Sequence, residues 1–114
     1  MQITRLPLDH VGKLDLVPRV VVERSVAQFR AALGIGFDRD QDDLDSSHVA
    51  YFRGGNTVFA FIHHDGEPPD SITVYMDRSM TAKAVDKLLS HIQKEFGISS
   101  DLISWKESVE MYGA

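Results

Sequence analysis

Residues 71–106 read SITVYMDRSMTAKAVDKLLSHIQKEFGISSDLISWK and contain the clearest structural pattern of the chain. The opening residues alternate in polarity as a half-buried strand does, with apolar side chains at Ile72, Val74 and Met76. Five apolar residues then recur with the period of an α-helix: Val85, Leu88, Leu89, Ile92 and Phe96. Ser79 or Thr81 can cap this helix, and Gly97 can end it. Residues 101–106 (DLISWK) form a further predicted strand, so the pattern predicts strand, helix, strand.

The preceding part of the chain is typical of β-structure. Residues 48–52 (HVAYF) and 57–62 (TVFAFI) are rich in aromatic and β-branched residues, which favour strands. RGGN at 53–56 supplies turn residues that tolerate positive φ, so these two strands are predicted to form a hairpin. DGEPPD at 65–70 predicts a second turn, and alternation over residues 2–6 predicts an N-terminal strand.

Residues 16–33 carry two competing signals. An apolar stripe has helical spacing and consists of Val22, Val26, Phe29 and Leu33. Asp15 can cap such a helix, Pro18 fits its first turn, and Gly34 can end it. The β-branched run Val20–Val22 favours a strand instead. Because the stripe is longer and carries both end signals, it predicts a helix over residues 16–33.

The predicted order β-α-β-β-β-α-β defines an α+β fold in which two βαβ units form one mixed sheet with two helices on one face. The whole chain, residues 1–114, is predicted to be a single domain. No predicted helix covers the other face of the sheet, and an uncovered apolar face predicts self-association. Apolar and aromatic candidates for that face are Val49, Tyr51, Val58, Ala60, Ile62, Thr73 and Tyr75.

Composition excludes several classes of function. The 12 Lys and Arg residues are outnumbered by 17 Asp and Glu residues, giving a net charge of −5. This acidic balance argues against binding to nucleic acid, which requires clustered basic residues. The absence of cysteine excludes disulfide scaffolds and thiol chemistry. No apolar run is long enough for a membrane span, so the sequence predicts a cytoplasmic protein.

The acidic residues do not predict a metal centre. Alternate aspartates within the stretch Asp38–Asp45 resemble the start of a calcium loop. The pattern then fails, because Asp43 stands where the turn requires glycine and Val49 stands where a bidentate glutamate is needed. We therefore interpret the stretch as an exposed acidic loop. His63 and His64 are adjacent in a strand and should point to opposite faces, which does not favour a shared metal ion. No motif for a cofactor is present.

The C-terminal half resembles the tautomerase superfamily, which includes macrophage migration inhibitory factor and malonate semialdehyde decarboxylase. The resemblance rests on ITVYMDRS at 72–79, the helix at 81–96, GISSDLISWKE at 97–107 and the tail EMYG at 110–113. It implies two βαβ units and a homotrimer whose sheets enclose a central barrel, which would bury the open face. It also implies chemistry by an N-terminal proline, whose amine acts as a base or nucleophile.

The chain departs from this family at the catalytic position, because residue 2 is Gln2 instead of proline. The resemblance therefore implies a tautomerase-like protein without proline chemistry, which binds a small carboxylate ligand or acts through protein contacts. Any remaining activity would be weak tautomerisation or hydration with His63 or His64 as the base. Arg78 matches the arginine that family members direct at a substrate carboxylate, although it can equally pair with Asp77 or Glu107 on the surface. Tyr112 would approach the pocket of a neighbouring subunit, or anchor the tail on the sheet.

Two other interpretations remain open from the sequence. One is an acidic ferredoxin-like binding module, such as an immunity protein against a basic toxin, with Asp38–Asp45 as the contact. The other is a single module of the glyoxalase type, suggested by LDHVG at 8–12 and ERSVAQF at 23–29. That group needs metal ligands from two modules, and only one fits in this length.

Overall fold

The computed structural model describes residues 2–7, 15–41 and 46–106. These residues form one sheet whose strands are β1 (Ile3–Leu6), β2 (Leu16–Val22), β3 (Asp38–Gln41), β4 (Ser46–Gly54), β5 (Thr57–His64), β6 (Ile72–Asp77) and β7 (Ile103–Lys106). They also form the helices α1 (Val26–Leu33) and α2 (Ala82–Phe96), and a short 3-10 turn, Ser100–Leu102, that leads into β7. The predicted α+β class is therefore confirmed.

All strand pairings among the described residues are antiparallel, in the order β1-β4-β5-β6-β2-β7, and β3 also pairs with β4. Because β6 and β7 are both antiparallel to β2, they run in the same direction, and α2 connects them across the inserted strand. This is the split βαβ arrangement of ferredoxin-like folds. The mixed sheet of two βαβ units expected for a tautomerase is not confirmed.

The helix predicted for residues 16–33 is wrong in its first half. Residues 16–22 form β2, which is hydrogen-bonded to β6 on one side and to β7 on the other. Val20 and Val22 are fully buried in this central strand, where β-branched side chains pack well. Pro18 is accommodated beside a bulge in the β2–β6 pairing, where the lack of an N–H is tolerated. The strand preference of the valines therefore outweighs the helical spacing here.

Each helix begins and ends with specific capping contacts. Ser25, and not Asp15, caps α1: its hydroxyl accepts a hydrogen bond from the N–H of Gln28, whose side chain accepts from the N–H of Ser25. Gly34 ends α1 in the left-handed conformation, with φ of 67°. In α2 the expected contacts are confirmed: Thr81 caps the first turn and Gly97 ends the helix with φ of 63°.

Both helices pack against the same face of the sheet. Phe29 of α1 and the buried side of α2 belong to one core with the inward residues of β2, β4, β5 and β6. Phe61 lies at the centre of this core, where its ring contacts four other aromatic rings: Phe29, Phe52, Phe59 and Phe96. The core thus fixes both helices over the middle strands.

The opposite face of the sheet is not bare at its centre, contrary to the sequence expectation. Val49 is 1% exposed and Ala60 is fully buried, and they form a second small cluster with Ile62. Tyr51 and Tyr75, together with Leu16, are partly buried against this cluster. Self-association through this face stays a prediction.

Part of the stretch Asp38–Asp45 is a strand and not a loop. Residues 38–41 form β3 and pair with residues 46–49 of β4, while residues 42–45 lie outside the described residues. Arg39 of this strand bonds the carboxylate of Asp65, in the turn after β5, at 2.9 Å. Asp38 is in turn paired with Arg5 at 3.2 Å. Neither aspartate is therefore an isolated charge.

Candidate functional site

The predicted ligand residues Gln2 and Arg78 lie at the same end of the sheet but do not meet in one chain. Gln2 is exposed and precedes β1, whereas Arg78 follows β6. β4 and β5 lie between β1 and β6, so these two strands are three strand spacings apart, or about 14 Å. The Nε atom of Arg78 donates to the Asp15 carboxylate at 2.9 Å, and both side chains are about two thirds exposed (67% and 66%). The partner of Arg78 is thus Asp15.

His63 lies at the other end of the sheet, beside His48 of β4. Its Nδ1 atom is 2.8 Å from the carbonyl oxygen of Ser71, so this nitrogen must be the protonated donor. Tyr112, the remaining predicted ligand residue, lies outside the described residues. The structure therefore does not bring Gln2, Arg78 and His63 together within one chain.

The two adjacent histidines point in different directions, as the sequence indicated. His64 places Nε2 3.3 Å from the Tyr75 hydroxyl on the sheet face that lacks helices. Within residues 2–7, 15–41 and 46–106, no three histidine or carboxylate side chains are grouped so that they could hold a metal ion. No helix in those ranges is long and apolar enough to cross a membrane.

An open groove of about 710 Å³ lies where β2 ends, β6 begins and β7 runs along the sheet edge. The β5–β6 turn lines it with Glu67, Pro68, Asp70 and Ser71, and β6 lines it with Thr73. We call this feature the acidic groove, and its lining residues are Val21, Glu23, Gln28, Glu67, Pro68, Asp70, Ser71, Thr73 and Ser104.

Three carboxylates line the acidic groove: Glu23, Glu67 and Asp70. Glu67 is oriented by the turn itself, because one of its oxygens accepts a hydrogen bond of 2.7 Å from the N–H of His64. None of the groove-lining side chains is basic, and none of the three carboxylates forms an ion pair with a described Lys or Arg. Within the part of the chain that the structure describes, the negative charge of the groove therefore has no basic counterpart.

Hydroxyl groups also line the acidic groove. Ser71 donates its hydroxyl proton to the carbonyl oxygen of Pro68 at 3.0 Å, so the lone pairs of its oxygen remain available as acceptors. Thr73 is only 7% exposed and lines the groove. His63 borders the groove through its bond to Ser71, so one predicted site residue does lie beside it.

The turn that carries two of the carboxylates is tied to β3 and β4 through Asp65. The Asp65 carboxylate accepts hydrogen bonds from the hydroxyl of Ser46 and the guanidinium of Arg39. The bond from Ser46 is the largest cause of a pKa below the ordinary value for Asp65, and the positive charge of Arg39 acts in the same direction. The backbone N–H of Asp65 also donates to the carbonyl oxygen of Ser46 at 2.9 Å. These contacts hold the start of the turn in place.

Sequence reasoning missed the acidic groove because its residues are distant along the chain. Glu23 and Ser104 are brought to Thr73 only because β2 is inserted between β6 and β7. The one local signal is the acidic turn DGEPPD at 65–70, where carboxylates adjoin two prolines. The sequence identified it as a turn and not as part of a site.

No protein-family model, curated protein or solved structure matches this chain. The resemblance to the tautomerase superfamily therefore stays a prediction, and the functional assignment rests on the geometry and charge of the described residues.

Proposed function

We propose that this chain is an acidic binding module of the ferredoxin-like type that recognises a basic protein through the acidic groove. The single observation that carries the proposal is the set of three groove carboxylates, Glu23, Glu67 and Asp70, with no described basic partner. A positively charged surface is the complement of such a groove.

The charge of the whole chain also favours a basic partner. A net charge of −5 attracts a basic partner over a longer range than the groove alone, and this increases the association rate at low ionic strength. The groove is open, with about 710 Å³ of space, so it can admit side chains of a folded partner.

The spacing of the carboxylates favours a partner with several distributed cationic groups over a single metal ion. A metal ion requires its ligands to converge at about 2–2.6 Å from one point. Glu23, Glu67 and Asp70 come from the end of β2 and from two positions of the β5–β6 turn, and do not form such a group. Carboxylates spread along a groove instead match the charges along a basic protein segment.

The test uses fluorescein-labelled hexalysine as the probe, measured by fluorescence anisotropy at low ionic strength. The double variant Glu23→Gln/Asp70→Asn should bind it about tenfold more weakly, because two carboxylates of the groove lose their charge. The control Asp86→Asn/Glu95→Gln removes the same net charge from exposed positions of α2 and should change the affinity by less than about twofold.

Affinity should also fall steeply when the salt concentration rises from about 50 to about 200 mM, since the contact is between opposite charges. Absence of hexalysine binding overturns the proposal. Equal weakening in the groove variant and the α2 control overturns the assignment to the groove, because it shows that only the net charge matters.

A second candidate function is binding of a small carboxylate by Arg78 in a tautomerase-like trimer. The observation that favours it is the exposure of this guanidinium, whose described carboxylate partner Asp15 is itself two thirds exposed. A ligand carboxylate would compete with Asp15 for Arg78. Titration calorimetry with malonate and light scattering test it: we expect binding by a trimer that is lost in Arg78→Ala, and a monomer without malonate binding contradicts it.

A further inference from the structure

We infer that the bond between Asp65 and Gly66 is a site of isoaspartate formation, and that Arg39 and Ser46 protect it by holding the Asp65 carboxylate. In isoaspartate, the peptide bond to the next residue runs through the side chain instead of the main chain. We call Arg39 and Ser46 the carboxylate clamp. The inference does not depend on the proposed function, because it concerns the covalent chemistry of the β5–β6 turn and not what the groove binds.

The reaction needs only the side chain of Asp65, the backbone nitrogen of Gly66 and water. The Gly66 nitrogen attacks Cγ of the protonated Asp65 carboxyl group, and the amide proton leaves with the carboxyl OH as water. The product is a succinimide ring. Water then opens the ring, and breaking the bond between the nitrogen and the main-chain carbonyl carbon of Asp65 gives isoaspartate. Breaking the other bond to the nitrogen restores aspartate.

The turn itself requires the reactive pair of residues. The N–H of Glu67 donates to the carbonyl oxygen of His64 at 3.1 Å, so residues 64–67 form a tight turn with Gly66 in its third position. Gly66 has φ of 95°, a conformation that favours glycine. Without a side chain, its nitrogen is not shielded from Asp65, and an added Cβ there would meet no atom within 4 Å. The Asp65 side chain is 45% exposed, so water reaches it.

The carboxylate clamp opposes this reaction through geometry. One oxygen of Asp65 accepts hydrogen bonds from the Arg39 guanidinium, at 2.9 Å, and from the Ser46 hydroxyl. The N–H of Asp65 is also held, by the carbonyl oxygen of Ser46. For Cγ to reach the nitrogen of Gly66, the side chain must rotate away from both donors, which breaks two bonds to a charged group.

The carboxylate clamp also disfavours the reactive protonation state. Both donors stabilise the ionised carboxylate, whereas the attack consumes the protonated acid. The bond from Ser46 is the largest cause of the lowered pKa of Asp65, and Arg39 lowers it further. At a given pH, less of the reactive acid is therefore present than in a chain without the clamp.

The test follows isoaspartate at residue 65 of the full chain by chromatographic peptide mapping and mass spectrometry, at about pH 5, where a fraction of aspartate carboxyl groups is protonated. Arg39→Gln should form isoaspartate about tenfold faster than the wild-type chain, because a charge-assisted bond to the carboxylate is lost. Ser46→Ala should act in the same direction. The control Arg53→Gln removes the same charge from an exposed position of β4 and should change the rate by less than about twofold. A free peptide of residues 61–70 has the same reactive pair without the clamp, and should react at least about tenfold faster than the wild-type chain.

Asp70 and Ser71 provide an internal control against unfolding of the variants. They are also an aspartate followed by a small residue, but the clamp residues Arg39 and Ser46 bond Asp65 and not Asp70. The rate at Asp70 should therefore be the same in Arg39→Gln and in the wild-type chain. Equal acceleration at both aspartates overturns the role of the clamp, because it shows that the variant reacts through general unfolding.

Two further outcomes would overturn the inference. Equal rates at residue 65 in the wild-type chain, Arg39→Gln and Ser46→Ala would show that the clamp does not protect the bond. If isoaspartate forms at residue 65 neither in the variants nor in the free peptide, Asp65–Gly66 is not a site of this modification.

Discussion

At the scale of single residues, Asp77 shows how local hydrogen bonds set a charge state at the end of β6. Its carboxylate accepts bonds from the hydroxyl of Ser79 at 2.6 Å and from the N–H of Ser79 at 2.8 Å. The hydroxyl contact is the largest cause of a pKa below the ordinary value for Asp77, followed by the backbone contact. Arg19 is nearby and donates to the carbonyl oxygens of Asp77 and Arg78.

We expect Ser79→Ala to raise the pKa of Asp77 towards its ordinary value, because the variant removes the hydroxyl bond and keeps the backbone bond. The measurement is an NMR titration of the Asp77 carboxyl carbon in both chains. The pKa of Asp65, which depends on Ser46 and Arg39, should not move and is the internal control. If the pKa of Asp77 is equal in the two chains, the Ser79 hydroxyl is not the cause of its lowered pKa.

The direction of both pKa shifts fixes the pH dependence of stability. Asp65 and Asp77 have lower pKa values in the folded chain than in the unfolded chain, so the unfolded chain binds protons first as the pH falls. The contribution of these two carboxylates to the free energy of unfolding is fully present above their pKa in the unfolded chain, about 4. It is lost as the pH falls through their lower pKa values in the folded chain. Urea unfolding should therefore show a falling free energy of unfolding below about pH 4.

At the scale of elements, the ends of the helices depend on glycine in the left-handed conformation. Gly97 ends α2 with φ of 63° and its N–H donates to the carbonyl oxygen of Gln93. A side chain at this φ clashes with its own backbone, although an added Cβ at Gly97 has no other atom within 4 Å. The expected strain is therefore conformational and local.

We expect Gly97→Ala to lower the free energy of unfolding by about 1 kcal/mol, measured by urea denaturation. The control is Gly36→Ala, because Gly36 has no positive φ and an added Cβ there also meets no atom within 4 Å. That variant should be neutral or slightly stabilising, since alanine reduces the freedom of the unfolded chain. Equal losses in the two variants would show that φ is not the cause.

The elements also show which parts of the fold can be predicted from sequence. α2 was predictable because its buried residues, its cap Thr81 and its terminal Gly97 all indicate the same helix. β2 was not, because Val22 fits both a buried strand and the apolar stripe that continues into α1. The choice depends on β6 and β7, which pack on either side of β2 and come later in the sequence.

The candidate site was less predictable than the fold, for a related physical reason. Strand periodicity assigns residues to a face of the sheet but does not give the order of the strands. Glu23 and Ser104 become neighbours of Thr73 only in the observed order. Arg78 was predicted as a ligand residue from the family resemblance, whereas its pairing with Asp15 depends on the register of β2 with β6.

At the scale of the whole molecule, the aromatic core joins the two helices to the sheet. Phe61 of β5 is fully buried and its ring lies 5.0 Å from that of Phe29 in α1 and 5.3 Å from that of Phe96 in α2. Aromatic pairs at these separations add to the stabilisation from burial. One side chain thus couples both helices to the central strands.

We expect Phe61→Ala to lower the free energy of unfolding by about 3–5 kcal/mol, because it leaves a cavity where five rings meet. Thermal unfolding followed by circular dichroism measures the loss. Val58→Ala, at a half-buried position on the other face of β5, should lose much less. A loss at Phe61 no larger than that at Val58 would contradict the central role of this ring.

The position of β2 has a consequence for how the chain folds during synthesis. Val22 pairs with Ile72 on one side and with Ile103 on the other, so β2 leaves the ribosome long before either neighbour exists. Its apolar valines then remain without their final partners while most of the chain is translated. The native sheet can be completed only after Lys106 has emerged, because Lys106 pairs with Val20 of β2. A nascent chain arrested before β7 would expose one edge of β2 and be prone to aggregation.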